Sequence, residues 1–284
     1  SETTVAAVIV DRDTGDKYAI NDPMLIPNIA VLDPCLLVGL PKHISSTTGM
    51  DALTHAVEAF IGHSNTKKTK EYGISATKLI FEYLEKSVAE PTNLEYREKM
   101  QLASYQAGVA FTRAYVGSVH AMAHALGGKY NVPHGHANAI ILPIVLKACG
   151  KSAYPKLAKL ADAVGIKGAT KKEKANAFIA EIEAMNERMG IENTFGKLIQ
   201  EEDLDFIARL LPFATRESKI NDAVIYNRLE LFKFEADKRK FYELLNGTEL
   251  FASTSDAVII SAPKVLADSI NEEETNRELF EFIN

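Results

Sequence analysis

GSVHAMAHALGGKYNVPHGHANA, Gly117 to Ala139, holds four of the chain's seven histidines. His120 and His124 stand four residues apart in a run of Ala, Met and Leu that reads as helix, so their imidazoles share one face. That segment is too apolar for a solvated surface, and a buried imidazole needs a partner. Two such histidines, followed after Gly127-Gly128 by Pro133-His134-Gly135-His136, form a pattern suited to a metal ligand set. The helix is predicted to end at the two glycines.

A second i, i+4 pair lies upstream in TTGMDALTHAVEAF, Thr47 to Phe60, where Asp51 and His55 would point together from one helical face. Taken alone, such a pair is more often a surface contact between aspartate and histidine than half of a metal site. Aspartate with three histidines suits a borderline divalent ion, Fe²⁺ or Zn²⁺, and spacing does not choose between them. Three chemistries compete for such a set. A zinc protease needs HExxH, and His120 is followed by Ala121, so its general base is missing. A di-iron carboxylate bundle needs several glutamates in ExxH pairs, and the region reads as having none. Lewis-acid activation of an alcohol or carbonyl oxygen needs only the metal, an open position and a hydride partner.

Outside these motifs the chain divides into a small β-containing entry and a large helical remainder. Val5 to Val10, the turn residues DRDTGDK and the apolar YAI read as a hairpin, and Ile26 to Asp33 as a further strand. Helical spacing begins near Thr47, with Ser/Thr as capping candidates and Gly62 as the stop. Further helices are predicted over Lys70–Glu90, Asn93–Val116, Ala137–Cys149, Pro155–Val164, Lys171–Met189 and Glu201–Leu211. Asn221 to Asn284 alternates charged runs with one apolar run, DAVIISAPKVLA, and is mostly helical in pattern.

Composition sets the outer limits. The chain has 284 residues, 46% hydrophobic and 25% charged, which is the profile of an ordinary globular protein. A net charge of -6 gives no broad attraction to phosphate backbones, so nucleic acid is not an expected partner, and no apolar run is long enough to span a bilayer. Cys35 and Cys149 are far apart, without CxxC spacing or a preceding signal peptide, and read as free thiols of a cytoplasmic protein. SETTVAAVIV opens without Met and passes directly into strand-like residues, as a fragment of a longer protein would.

TTGMDALTHAVEAF together with GSVHAMAHALGGKYNVPHGHANAIILP resembles the iron-containing (group III) alcohol dehydrogenase family. SETT at the start and LDPCLLVGLP before the first metal helix add to the likeness, which covers roughly Ser1 to Asp205. The resemblance implies residues 1–44 as the last elements of an α/β dinucleotide-binding domain and 45–284 as an all-helical metal-binding catalytic domain, with 205–284 an atypical tail. The fold class is therefore mostly α, a helical bundle preceded by a short β-hairpin or strand remnant.

By motif, the resemblance implies Asp51, His55, His120 and His134 as metal ligands. It places His124 beside metal and nicotinamide, where it would orient substrate or relay a proton. His136 is left outside the ligand set, and His43 and His63 are solvated. The implied reaction is hydride transfer between a small primary alcohol or aldehyde and NAD or NADP, in a homo-oligomer. No Gly-rich phosphate-binding loop occurs in the chain. Only the entry segment could then touch the dinucleotide, through Thr4, Lys17 and Leu37. The competing expectation is a truncated metal-binding module without turnover, working in assembly or interaction.

Overall fold

The computed structural model of the chain describes residues 3–10, 17–196 and 198. Among them a two-stranded antiparallel hairpin, β1 (Ala6–Val10) and β2 (Lys17–Asn21), precedes six α-helices. Its register sets Ala6 opposite Asn21 and Val10 opposite Lys17. The helix predicted at Glu201–Leu211 and the tail beyond it lie outside the described residues.

Ile26–Asp33 is not a strand. It is irregular chain, bent at Ile26 and Asn28, between two single-turn 3₁₀ helices, Pro23–Leu25 and Pro34–Leu37, and no ladder partner joins it among the described residues. Each turn starts on an aspartate whose carboxylate accepts a backbone N–H, Asp22 from Met24 at 2.8 Å and Asp33 from Cys35 at 2.9 Å. Proline follows each aspartate, with its backbone torsion preset for a turn and no N–H to contribute to a sheet.

The first helix, α1 (Lys42–Ile61), starts five residues before Thr47. The Ser/Thr run read as caps sits inside it. Thr47 and Thr48 turn their hydroxyls back onto the His43 and Ile44 carbonyls at 2.7 Å each, and Ser46 onto His43 at 3.1 Å. The helices α2 (Lys67–Ala89) and α3 (Leu94–Ala114) follow. Thr66 and Thr69 form a reciprocal capping box for α2, and the Asn93 side chain caps α3.

The fourth helix, α4 (Ser118–Tyr130), runs through Gly127-Gly128 and stops at Asn131, whose left-handed conformation (φ 54°) closes it. The two glycines keep helical geometry because the leucine and alanines beside them are buried, and packing overrides their low propensity. The fifth, α5 (His134–Ala163), joins two predicted helices into one bent rod. Its break is at Gly150, whose φ of 50° suits glycine, five residues before Pro155. The last, α6 (Lys171–Met189), ends at Gly190 in the left-handed region.

The bundle is built around α1, which packs against α2, α3 and α5, while α6 covers α5. Met50, Leu53, Ile80, Leu84, Met122, Leu126, Ile140 and Leu157 are fully buried in one continuous core. His120 in the first turn of α4 and His134 at the start of α5 both meet Asp51 in the middle of α1. No helix among the described residues is long and apolar enough to cross a membrane.

Candidate metal centre

Asp51 and His55 lie one turn apart on α1, and His120 reaches them from α4. One potential ligand atom from each lies within 4.8 Å of the others, in a largely buried pocket. The Asp51 carboxylate is the hub. Its Oδ1 is 3.5 Å from His120 Nε2 and 3.5 Å from His134 Nε2, and its Oδ2 is 3.9 Å from His55 Nδ1. His134, at the first position of α5, is the most exposed of the set, with 36% of its side chain accessible.

The surroundings hold these rings in place. His55 is sandwiched between Phe111 of α3, with ring centroids 4.3 Å apart, and His120, at 4.2 Å. Gly135 explains how His134 comes so near: a Cβ there would stand 2.6 Å from the Thr47 carbonyl oxygen, so only glycine lets α5 begin against α1. Asn138, one turn further along α5 and fully buried, donates from Nδ2 to Asp51 Oδ1 at 2.5 Å and lies 3.1 Å from His134 Nε2.

The ionisation pattern follows from this crowding. Burial alone would raise the Asp51 carboxyl, but His55, His120 and His134 carry it well below the usual carboxylate range. His55 is held well below its usual value by burial and by His120 beside it. Burial opposes protonation of His120 too, but Asp51 and Glu58 outweigh it and raise its pKa, so a cation at Nε2 would compete with a proton there. One carboxylate among three imidazoles is a donor set that a divalent cation would satisfy. His120 Nε2 supplies an independent sign: it is buried and has no hydrogen-bond partner among the described residues.

His124 lies on the rim, half-buried, its ring centroid 4.9 Å from that of His134 and 6.5 Å edge-on from that of His120. His136 turns away, with Nε2 3.8 Å from Glu192. His43 and His63 are exposed. Thr4 is buried in the turn before β1, where its hydroxyl is 3.4 Å from the Ala6 amide. Leu37 is half-buried at the end of the second 3₁₀ turn, and Lys17 begins β2.

Contrary to the expectation of no glutamate, the region contains one beside the cluster. Glu58 of α1 is 4% exposed, and its Oε2 is 2.7 Å from His120 Nδ1. The signal was its spacing, three residues after His55 and seven after Asp51, a charge on the buried face of an otherwise apolar turn. Asn138, four residues after His134, was legible in the same way.

Helices that close around an Asp/His set define a helical metal-binding domain. Residues 45–221 match the model of the Fe-containing alcohol dehydrogenase family, C-terminal. The chain belongs to this family. It is 36% identical over 212 residues to the NAD-dependent methanol dehydrogenase of Bacillus methanolicus, covering 74% of this chain and 56% of that protein. With the 1-propanol dehydrogenase of Salmonella typhimurium it shares 40% over 214 residues, 74% of this chain and 58% of the relative. A solved 1,3-propanediol oxidoreductase superposes with a TM-score of 0.71 at 34% identity, over 81% of this chain and 62% of its own. The chain thus spans little more than half the length of the curated relatives it matches.

Proposed function

We propose that this chain is the metal-binding catalytic portion of an NAD(P)-dependent alcohol dehydrogenase or aldehyde reductase, with Asp51, His55, His120 and His134 as the ligands of Fe²⁺ or, on the same donors, Zn²⁺. The observation that carries the reading is the Asp51/His55/His120 cluster, in which the buried His120 Nε2 faces Asp51 without a hydrogen bond among the described residues, on helices that match the family. A divalent ion held there supplies Lewis acidity towards an alcohol or carbonyl oxygen.

The chain's own residues do the rest. Asp51 offsets positive charge at the centre, and Asn138 keeps its carboxylate turned inward. Phe111 closes one side and excludes water from His55. His124, on the more open rim beside His134, is placed to pass the substrate's hydroxyl proton towards solvent. Towards the dinucleotide the chain offers Lys17 and Leu37, with Thr4 supporting the hairpin from its buried position. Residues 1–44 belong in this reading to the cofactor-binding part and 45–284 to the helical part.

The relatives named above point to short primary alcohols and their aldehydes as substrates, and the assembly we propose is a cytoplasmic homo-oligomer. The test is to load the chain anaerobically with Fe²⁺ or Zn²⁺, add NAD⁺ or NADP⁺ with 1-propanol or 1,3-propanediol, and follow reduced nicotinamide by absorbance. Steady turnover that disappears in His55→Ala supports the reading. Metal uptake without turnover, in the presence of saturating dinucleotide, would favour a binding module instead.

A further inference from the structure

Glu58 joins the candidate metal centre to the start of α4. It lies on the same face of α1 as Asp51 and His55, and its side chain reaches the first turn of α4. Gly117, the residue before that helix, offers no side-chain cap. The Glu58 carboxylate supplies one instead. Its Oε2 accepts the Gly117 N–H at 2.7 Å and its Oε1 the Val119 N–H at 2.8 Å. A buried anion at a helix N-terminus is satisfied by those amides and by the helix dipole.

The same Oε2 lies 2.7 Å from His120 Nδ1, and a carboxylate already accepting two backbone N–H groups can only accept here. Nδ1 must therefore carry a proton. That leaves Nε2, which faces Asp51 and has no hydrogen-bond partner, as the nitrogen available for coordination. Gly117 is the matching complement: a Cβ at that position would collide with the Glu58 carboxylate, so the close approach requires glycine.

We infer that Glu58 is a positioning residue for the metal centre: one carboxylate caps α4 and fixes His120 with Nδ1–H outward and Nε2 towards the ion. This rests on the proposed metal reading and adds to it a second function for α1. Glutamine has nearly the same shape but only one accepting oxygen for three donors. If that oxygen faces His120, the amide group meets the Val119 N–H. If it faces Val119, the amide drives His120 towards the tautomer with its proton on Nε2, which cannot bind metal until that proton leaves.

The test titrates Zn²⁺ and Fe²⁺ alone into wild type, Glu58→Gln and Glu58→Asp, and records the downfield proton spectrum of the Zn²⁺ forms. In wild type the His120 Nδ1–H donated to Glu58 gives a slowly exchanging resonance. Glu58→Gln should bind metal about 10–100-fold more weakly, the range seen when an outer partner of a ligating histidine is removed, and lose or shift that resonance. Glu58→Asp keeps the charge but is one methylene shorter, and should recover part of both. Leu157→Ala, destabilised in the far arm of α5, should keep wild-type affinity and so separates positioning from stability.

A folded Glu58→Gln with unchanged affinity and an intact resonance overturns the inference. Where Glu58→Gln does not fold, Glu58→Asp decides: weaker metal binding than Leu157→Ala upholds it, and wild-type affinity overturns it. Wild type that takes up neither ion would instead bring down the metal reading itself, a result distinct from any difference between variants.

Discussion

At the scale of single residues, the centre is a set of groups whose ordinary preferences are overridden by their neighbours. A buried carboxylate is costly unless paired, and Asp51 is tolerated because three imidazoles and the Asn138 amide converge on it. Removing one imidazole should cost more than disturbing a partner behind it. His55→Ala is expected to lower Zn²⁺ affinity beyond the roughly 10–100-fold attached to an outer partner, measured by competition with a chromogenic chelator. His124→Ala should retain the metal and lose turnover, since its ring lies beside His134 and outside the ligand cluster. A variant with full metal and full turnover would remove His124 from the proton path.

The two cysteines differ sharply in setting. Cys149 is half-buried and has its thiol pushed up to about 11, by burial first and by the Glu58 carboxylate second, whereas Cys35 is exposed and its thiol is raised by the neighbouring Asp33 carboxylate. A thiol raised in the folded state ionises first in the unfolded chain. Its contribution to stability is therefore complete below the usual thiol range and is lost as pH climbs towards about 11. Alkylation followed by mass spectrometry should show Cys35 reacting at mildly alkaline pH and Cys149 resisting until denaturant is added. Cys149→Ala should flatten the alkaline fall in stability.

At the scale of elements, helix starts explain much of the local order. Thr66 and Thr69 satisfy one another's backbone partners at the head of α2. Thr66→Ala should cost about 1 kcal/mol in a urea unfolding experiment and leave metal binding unchanged. The start of α4 is different, since its cap comes from another helix. Gly117→Ala should displace the Glu58 carboxylate, and it is expected to lower both thermal stability and Zn²⁺ affinity, which ordinary capping variants would not do together.

Most helix positions were legible from period and breakers, and Lys171–Met189 carries the bounds read from the sequence because Thr170 and Gly190 mark its ends locally. Where the sequence misled, a tertiary contact decided. Ser45 to Thr48 could cap a helix or continue one, and burial of Ser45 and Ser46 made them interior. Ile26–Asp33 has strand-like composition, but a strand needs a neighbour to pair with.

At the scale of the whole molecule, metal and fold should be linked by mass action. An ion that binds only the folded state adds about 2.7 kcal/mol of stability at a free concentration near 100 times Kd. Calorimetry should therefore show a melting temperature that rises with added Zn²⁺ and falls back with a chelator, and this response should vanish in His55→Ala. Val8, Val10, Met24, Ile29, Val31 and Leu36 are exposed apolar side chains on the hairpin and the segment after it. Such exposure on a folded chain favours association. Sedimentation should show self-association that grows with concentration and is reduced by Ile29→Lys with Val31→Lys.

The sequence by itself determined the helical class, the two i, i+4 pairs and the donor types, because these depend on periodicity and on chemistry carried within a few residues. Of the four positions that the family likeness implies as ligands, Asp51, His55 and His120 come within 4.8 Å of one another. What only the tertiary structure decided is which groups stand behind those ligands. Glu58 meets His120 across 62 residues of chain, and Asn138 meets Asp51 across 87. No local pattern encodes such contacts. They follow from the packing of α1, α4 and α5 around a shared core, where each buried polar atom must find its partner in space.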